Sequence, residues 1–225
     1  SSKPAPPYSW HLFGEDVAAV VDALDLSHVI GVGHSMGGHT VADAAVHRLS
    51  RFDALVLVDP TIFAIDRGTP PSGAFDFVRR RRNEWASPQE MIDRFADRFP
   101  FNAWELQVLR DYATYGMLPA PSGQGYVLAC PPDVEAEVYG GRDTEGADIL
   151  PALSRLAIPV RVLRARPPEP GVQAAPFTVS PTMVDLASRL PNGTDVPLPD
   201  LTHFIPMEAP GLVARHVIEV AEGVS

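Results

Sequence analysis

The chain has 225 residues, 45% apolar and 20% charged, enough for a sizeable core and incompatible with wholesale disorder. Its 18 Lys and Arg against 28 Asp and Glu leave a net charge of −10, which argues against nucleic acid or an anionic membrane as the main partner. One cysteine, Cys130, excludes an internal disulfide, and no apolar stretch reaches the ~18 residues of a membrane span, so a cytoplasmic protein is expected.

The opening segment, with Pro at positions 4, 6 and 7, reads as an extended linker. Ser9 is placed to cap a helix over residues 10–24, where Phe13, Val17, Val20, Val21 and Leu24 form one stripe. Residues 28–33 are an apolar run without alternation, as in a strand buried on both faces. An Ala- and Val-rich helix is predicted over 36–49, and a second buried strand over 54–58, ending at Asp59-Pro60. Strand, helix and strand in so short a span make a βαβ unit and imply a parallel sheet.

Residues 62–153 change in character. They are rich in aromatics, carry a basic run at Arg79–Arg82, and hold a capping-box pattern with Pro at the first helical position in Ser87-Pro88-Gln89-Glu90. A mostly helical insertion is expected here, leaving residues 1–61 and 154–225 as the α/β core. The basic run either steers an anionic substrate or forms a solvated helix face, the simpler reading. The alternation resumes with a strand at 160–163, a helix over 181–190, a strand at 195–198, a loop holding His203 and a closing helix over 208–222.

The segment Gly33-His34-Ser35-Met36-Gly37-Gly38 is the most informative. It places G-x-S-x-G between a buried strand and a helix, where a tight turn forces the serine into strained backbone geometry that only small flanking residues permit. The hydroxyl then stands at the carboxyl edge of the sheet, with the Met36 amide aimed at a developing oxyanion. A Walker A loop and a dinucleotide fingerprint are both excluded by spacing.

A serine nucleophile needs a base. His11, His39, His47 and His216 fall on predicted helices, where solvated or capping roles are expected. Asp43 and His47, four apart, read as a surface pair rather than a metal site. His28 enters a strand at the wrong end of the sheet, and the His34 side chain should diverge from that of Ser35. His203, in a loop after a late strand, is the candidate base. Cys130, in Cys-Pro-Pro, reads as a small buried residue rather than a rival nucleophile.

Together these residues resemble the α/β-hydrolase superfamily: residues 33–38 resemble its nucleophile elbow, and residues 201–210, from Leu201 to Pro210, its histidine loop. The resemblance implies a mostly parallel sheet of that type. It also implies that residues 62–153 are a helical cap whose aromatics line an apolar pocket. The activity implied is a cofactor-independent, metal-free serine hydrolase acting on a small carboxylic ester or lactone. Ser35 would be its nucleophile, His203 its base and the Met36 amide an oxyanion donor. The family's usual acid position, after the strand at 160–163, here holds Pro168, with Glu169 one place later. Asp59, ending the strand beside the nucleophile strand, is the preferred acid, Glu169 the second choice and no functional acid the third.

The strands and oxyanion loop that precede the first helix in that family have no counterpart here. The expectation is an N-terminally incomplete sheet whose exposed strand is covered by a missing segment or by a second copy. Residues 128–136 resemble a subgroup of bacterial hydrolases. Two rival functions stand beside esterase chemistry: C–C bond hydrolysis or thioester cleavage on the same scaffold, and ligand binding without turnover.

Overall fold

The computed structural model describes residues 3–63, 75–143, 146–169, 171, 174–175 and 177–224; the predicted linker at 1–2 and parts of the insertion at 64–74 and 144–145 lie outside them. In chain order the strands are β1 (Val29–His34), β2 (Phe52–Val58), β3 (Glu84–Trp85), β4 (Met117–Pro119), β5 (Tyr126–Leu128), β6 (Val160–Ala165) and β7 (Gly193–Leu198). The helices are α1 (Trp10–Ala23), α2 (Met36–His47), α3 (Asp76–Arg79), α4 (Pro88–Phe95), α5 (Leu106–Tyr115), α6 (Pro132–Gly140), α7 (Ile205–Glu208) and α8 (Pro210–Gly223). The chain divides into two units, one of Ser1–Ser9 with Arg67–Thr144 and one of Trp10–Asp66 with Glu145–Ser225.

The larger unit is built on a four-stranded sheet in the order β1-β2-β6-β7, every neighbouring pair parallel. Both faces of β2 are covered, which is why its sequence lacks polar alternation. Leu55 and Leu57 pack with Ala18, Val21 and Ala45 of α1 and α2, while Ala54, Val56 and Val58 pack with Ile205 and Val220 of α7 and α8. Residues 149–153, assigned from sequence to the insertion, belong here, because Ile149 and Leu153 are buried in the first of these clusters. β1 pairs on one side alone among the described residues, and Val32 is 42% exposed.

One predicted element is corrected. Residues 181–190 form no continuous helix, only a single 3-10 turn at Ala187–Arg189. Tertiary contacts override the local pattern: Met183 N–H donates to the Ile62 carbonyl, and the Thr182 hydroxyl to that of Pro60.

The smaller unit is less helical than its sequence suggests. β3, β5 and β4 form an antiparallel sheet, with Trp85 opposite Tyr126 and Met117 opposite Leu128. Trp85, Met91, Ala113, Met117 and Leu128 make its core, flanked by Phe95, Phe101, Trp104 and Tyr112 in successive ring contacts. At the start of α4, Ser87 Oγ accepts from Glu90 N–H and Glu90 accepts from Ala86 N–H, the reciprocal arrangement of a capping box shifted by one residue. The basic run is largely neutralised inside this unit: Arg79 pairs with Glu137, Arg81 with both oxygens of Glu135 at 2.6 Å, and Arg82 with Glu90. Cys130 is exposed, not buried, though partial burial still raises its thiol pKa.

Candidate active site

Sheet register gathers the site. His34 pairs with Val58, and Val58 pairs with Leu163, so Ser35 and Asp59 leave adjacent strands at the same level of the carboxyl edge. Ser35 N–H donates to the Val58 carbonyl at 3.0 Å and Asp59 N–H to that of Leu163 at 2.6 Å. These bonds tie each residue to the end of the neighbouring strand.

Ser35 has φ 55° and ψ −122°, left-handed geometry that a serine adopts only at a cost of ~1–3 kcal/mol. The turn closes because residue 33 is glycine; a Cβ there would strike the Gly37 carbonyl oxygen. The Ser35 carbonyl is held by three amides, those of Gly38, His39 and Thr61. Met36 opens α2, so its amide has no acceptor one turn earlier in the helix.

Ser35 Oγ lies 2.8 Å from His203 Nε2, and His203 Nδ1 lies 2.6 Å from Asp59 Oδ2. With the proton on Nδ1, His203 donates to the carboxylate and accepts from the serine hydroxyl. The His203 ring packs beside Phe177 and Phe204, and Phe177 supplies the carbonyl that accepts the His203 amide. His203 is 4% exposed and Asp59 fully buried. A bare carboxylate there would be costly, but Asp59 Oδ1 accepts from Ala165 N–H at 2.9 Å, Ser180 Oγ at 2.5 Å and Thr182 Oγ1 at 3.3 Å.

Three of the groups around the serine carried no sequence signal. Ser180 and Thr182 sit at the start of the segment predicted as a helix, more than a hundred residues from Asp59. Thr61 places its hydroxyl 3.2 Å from Ser35 Oγ. Glu169, the second choice of acid, is exposed in the loop after β6.

His34 does not stand clear of the site. Its Nε2–H donates to the His203 carbonyl at 2.7 Å, and burial, followed by the nearby His203, lowers its pKa to about 4. His39 is likewise not solvated: it is 3% exposed, donates to the Ala147 carbonyl, and burial lowers its pKa. His28 lies at the opposite end of β1, paired with Asp53, and His216 lies between Arg161 and Glu219.

The profile of the alpha/beta hydrolase family matches residues 1–216. The abhydrolase domain-containing protein AFT2-1 of Alternaria alternata is 36% identical over 81 residues, which are 36% of this chain and 30% of that protein. The type I acyl-CoA thioesterase mpaH of Penicillium roqueforti is 31% identical over 114 residues, 48% of this chain and 24% of that protein. These matches therefore span less than a third of either relative. Among solved structures, E-2-(acetamidomethylene)succinate hydrolase superposes with a TM-score of 0.73 at 20% identity, covering 99% of this chain and 77% of that one. No helix among the described residues is long and apolar enough to cross a membrane.

Proposed function

The chain belongs to the alpha/beta hydrolase family, and from that premise we propose that it is a serine hydrolase cleaving a small carboxylic ester or lactone through Ser35, His203 and Asp59. The observation that carries this reading is the unbroken line of contacts from Ser35 Oγ to His203 Nε2 at 2.8 Å and from Nδ1 to Asp59 at 2.6 Å. His203 takes the Ser35 proton as Oγ bonds to the acyl carbon. It returns that proton to the departing alkoxide as the acyl–oxygen bond breaks. Water then attacks the acyl-serine with the same base, releasing the acid and restoring the hydroxyl. Asp59 holds the imidazole in the tautomer that accepts from serine and stabilises its charged form. The Met36 amide donates to the oxyanion, an interaction of the kind whose loss raises a barrier by ~3 kcal/mol. The Thr61 hydroxyl restrains the serine rotamer.

The substrate in this reading is a small apolar ester-like molecule met in the cytoplasm, a setting consistent with a single cysteine. The likeness to an acyl-CoA thioesterase over 48% of the chain supports a second reading, thioester cleavage by the same groups. A fluorophosphonate probe tests both, because phosphonylation requires an activated hydroxyl. Wild type should be labelled at Ser35 and should turn over short p-nitrophenyl esters, or acyl-CoA under the second reading. Ser35→Ala should lose labelling and turnover together. Folded wild-type protein that resists the probe, or a Ser35→Ala variant still labelled at the site, removes the serine mechanism.

A further inference from the structure

Helices α1 and α2 bring His11, Asp43 and His47 together well away from Ser35, and we propose that these side chains bind a divalent transition-metal ion of the Zn²⁺ type. His11 Nδ1 lies 3.3 Å from Asp43 Oδ2, and His47 Nε2 lies 3.4 Å from Asp43 Oδ1. One donor atom from each of the three falls within 4.8 Å of the others, the one such grouping among the described residues. A tetrahedral ion with bonds of 2.0–2.2 Å holds its ligand atoms about 3.4 Å apart; the two short contacts end on different oxygens of Asp43, so the three donor atoms draw together from within 4.8 Å to share one ion. Two imidazoles and a carboxylate suit Zn²⁺, Co²⁺, Ni²⁺ or Cu²⁺ better than Mg²⁺ or Ca²⁺.

Three features make this a site rather than a chance meeting of side chains. The Asp43 side chain is 5% exposed, whereas those of His11 and His47 are 31% and 35% exposed. The anchoring carboxylate is thus buried, while the two imidazoles open to solvent and leave room for a water as fourth ligand. Opposite Asp43, α1 carries Gly14, where a Cβ would strike Asp43 Oδ2; the absent side chain lets the carboxylate lie against the helix. Finally, Glu15 Oε1 stands 3.4 Å from His11 Nε2. With Nδ1 turned to the metal, the remaining ring N–H donates to this carboxylate, which orients the ring and raises its basicity.

His47 follows Ser35 by twelve residues along α2, about 18 Å of helical rise. The ion therefore does not touch the hydrolytic groups; it pins α1 to α2 beneath the elbow. The alternative is a metal-free arrangement in which Asp43 serves only as hydrogen-bond acceptor for the two imidazoles.

Metal-stripped protein titrated with ZnCl₂ by calorimetry distinguishes them. Saturable binding of one equivalent is expected, with proton release, a melting temperature that rises with Zn²⁺, and the visible absorption of tetrahedral Co²⁺ when CoCl₂ replaces zinc. His11→Ala and His47→Ala should each weaken binding by at least ~10-fold, the lower end of what loss of an outer-shell partner costs, and Glu15→Gln by about 10-fold. His47 lies in the last turn of α2, so His47→Ala keeps the test intact where changes at Asp43 disturb folding. The proposal is overturned by a lack of saturable binding to folded protein. It is equally overturned by one-equivalent binding that persists unchanged in His47→Ala.

Discussion

His34 lies against the back of His203: its Nε2–H reaches the His203 carbonyl at 2.7 Å, and the two rings stand 4.9 Å apart. The residue before Ser35 thus braces the proposed general base, and it does so as a neutral imidazole.

That neutrality makes stability depend on pH. In the unfolded chain His34 protonates near 6.5, but in the folded protein only near 4. Above pH 6.5 it is neutral in both states and contributes no slope. Between 6.5 and 4 the unfolded chain holds more protons, so stability falls as pH falls, by at most about 1.4 kcal/mol per pH unit for one group. His39, whose pKa is also lowered by burial, adds in the same direction. Urea unfolding of wild type and His34→Gln at pH 7 and pH 5 should show a smaller loss for the variant. Equal losses would remove His34 from this account.

Asp59→Asn replaces the acceptor facing His203 Nδ1 by an amide able to donate, which favours the tautomer that cannot take the serine proton. A fall in kcat of about 10⁴-fold is expected, with the far-ultraviolet spectrum unchanged. An unaltered kcat would mean that Asp59 is a structural residue.

Ser180→Ala removes the shortest of the three bonds to Asp59 Oδ1 while leaving those from Ala165 and Thr182. Ser180 is a positioning residue, so kcat should drop by about 10–100-fold, the equivalent of a 1.5–3 kcal/mol charge-assisted bond, with KM little changed. A rise in KM at constant kcat would instead indicate substrate contact.

Gly33→Ala places a methyl group against the Gly37 carbonyl in the elbow. Backbone must shift to relieve it, at about 1–3 kcal/mol. Reduced thermal stability together with lost probe labelling is the expected pair; wild-type behaviour in both assays would contradict the packing described.

In the smaller unit, Ser87→Ala deletes the hydroxyl that accepts from Glu90 N–H at the start of α4. Loss of such a cap costs about 1 kcal/mol, read as a lowered denaturant midpoint, whereas Ser87→Asp should restore it.

The features legible in the sequence are those encoded by neighbours. The G-x-S-x-G turn, the uninterrupted apolar strands and the Ser87 cap each depend on residues within a few positions, so α1, β1, α2 and β2 are visible in residues 10–58 alone. Ser35 and His203 stand out as candidates because a motif and a loop position mark them. What tertiary structure decided is everything that depends on register and on packing between distant segments. Parallel pairing of β1, β2, β6 and β7 brings Ser35, Asp59 and the His203 loop to one edge of the sheet and leaves Glu169 in solvent. The segment around Ser180 and Thr182 turns to Asp59 instead, and the contacts it makes replace the helix expected over 181–190. The meeting of His11 with Asp43 and His47 belongs to the same class: four-residue spacing places two of them on one helix face, but only the packing of α1 on α2 buries the carboxylate and brings the third.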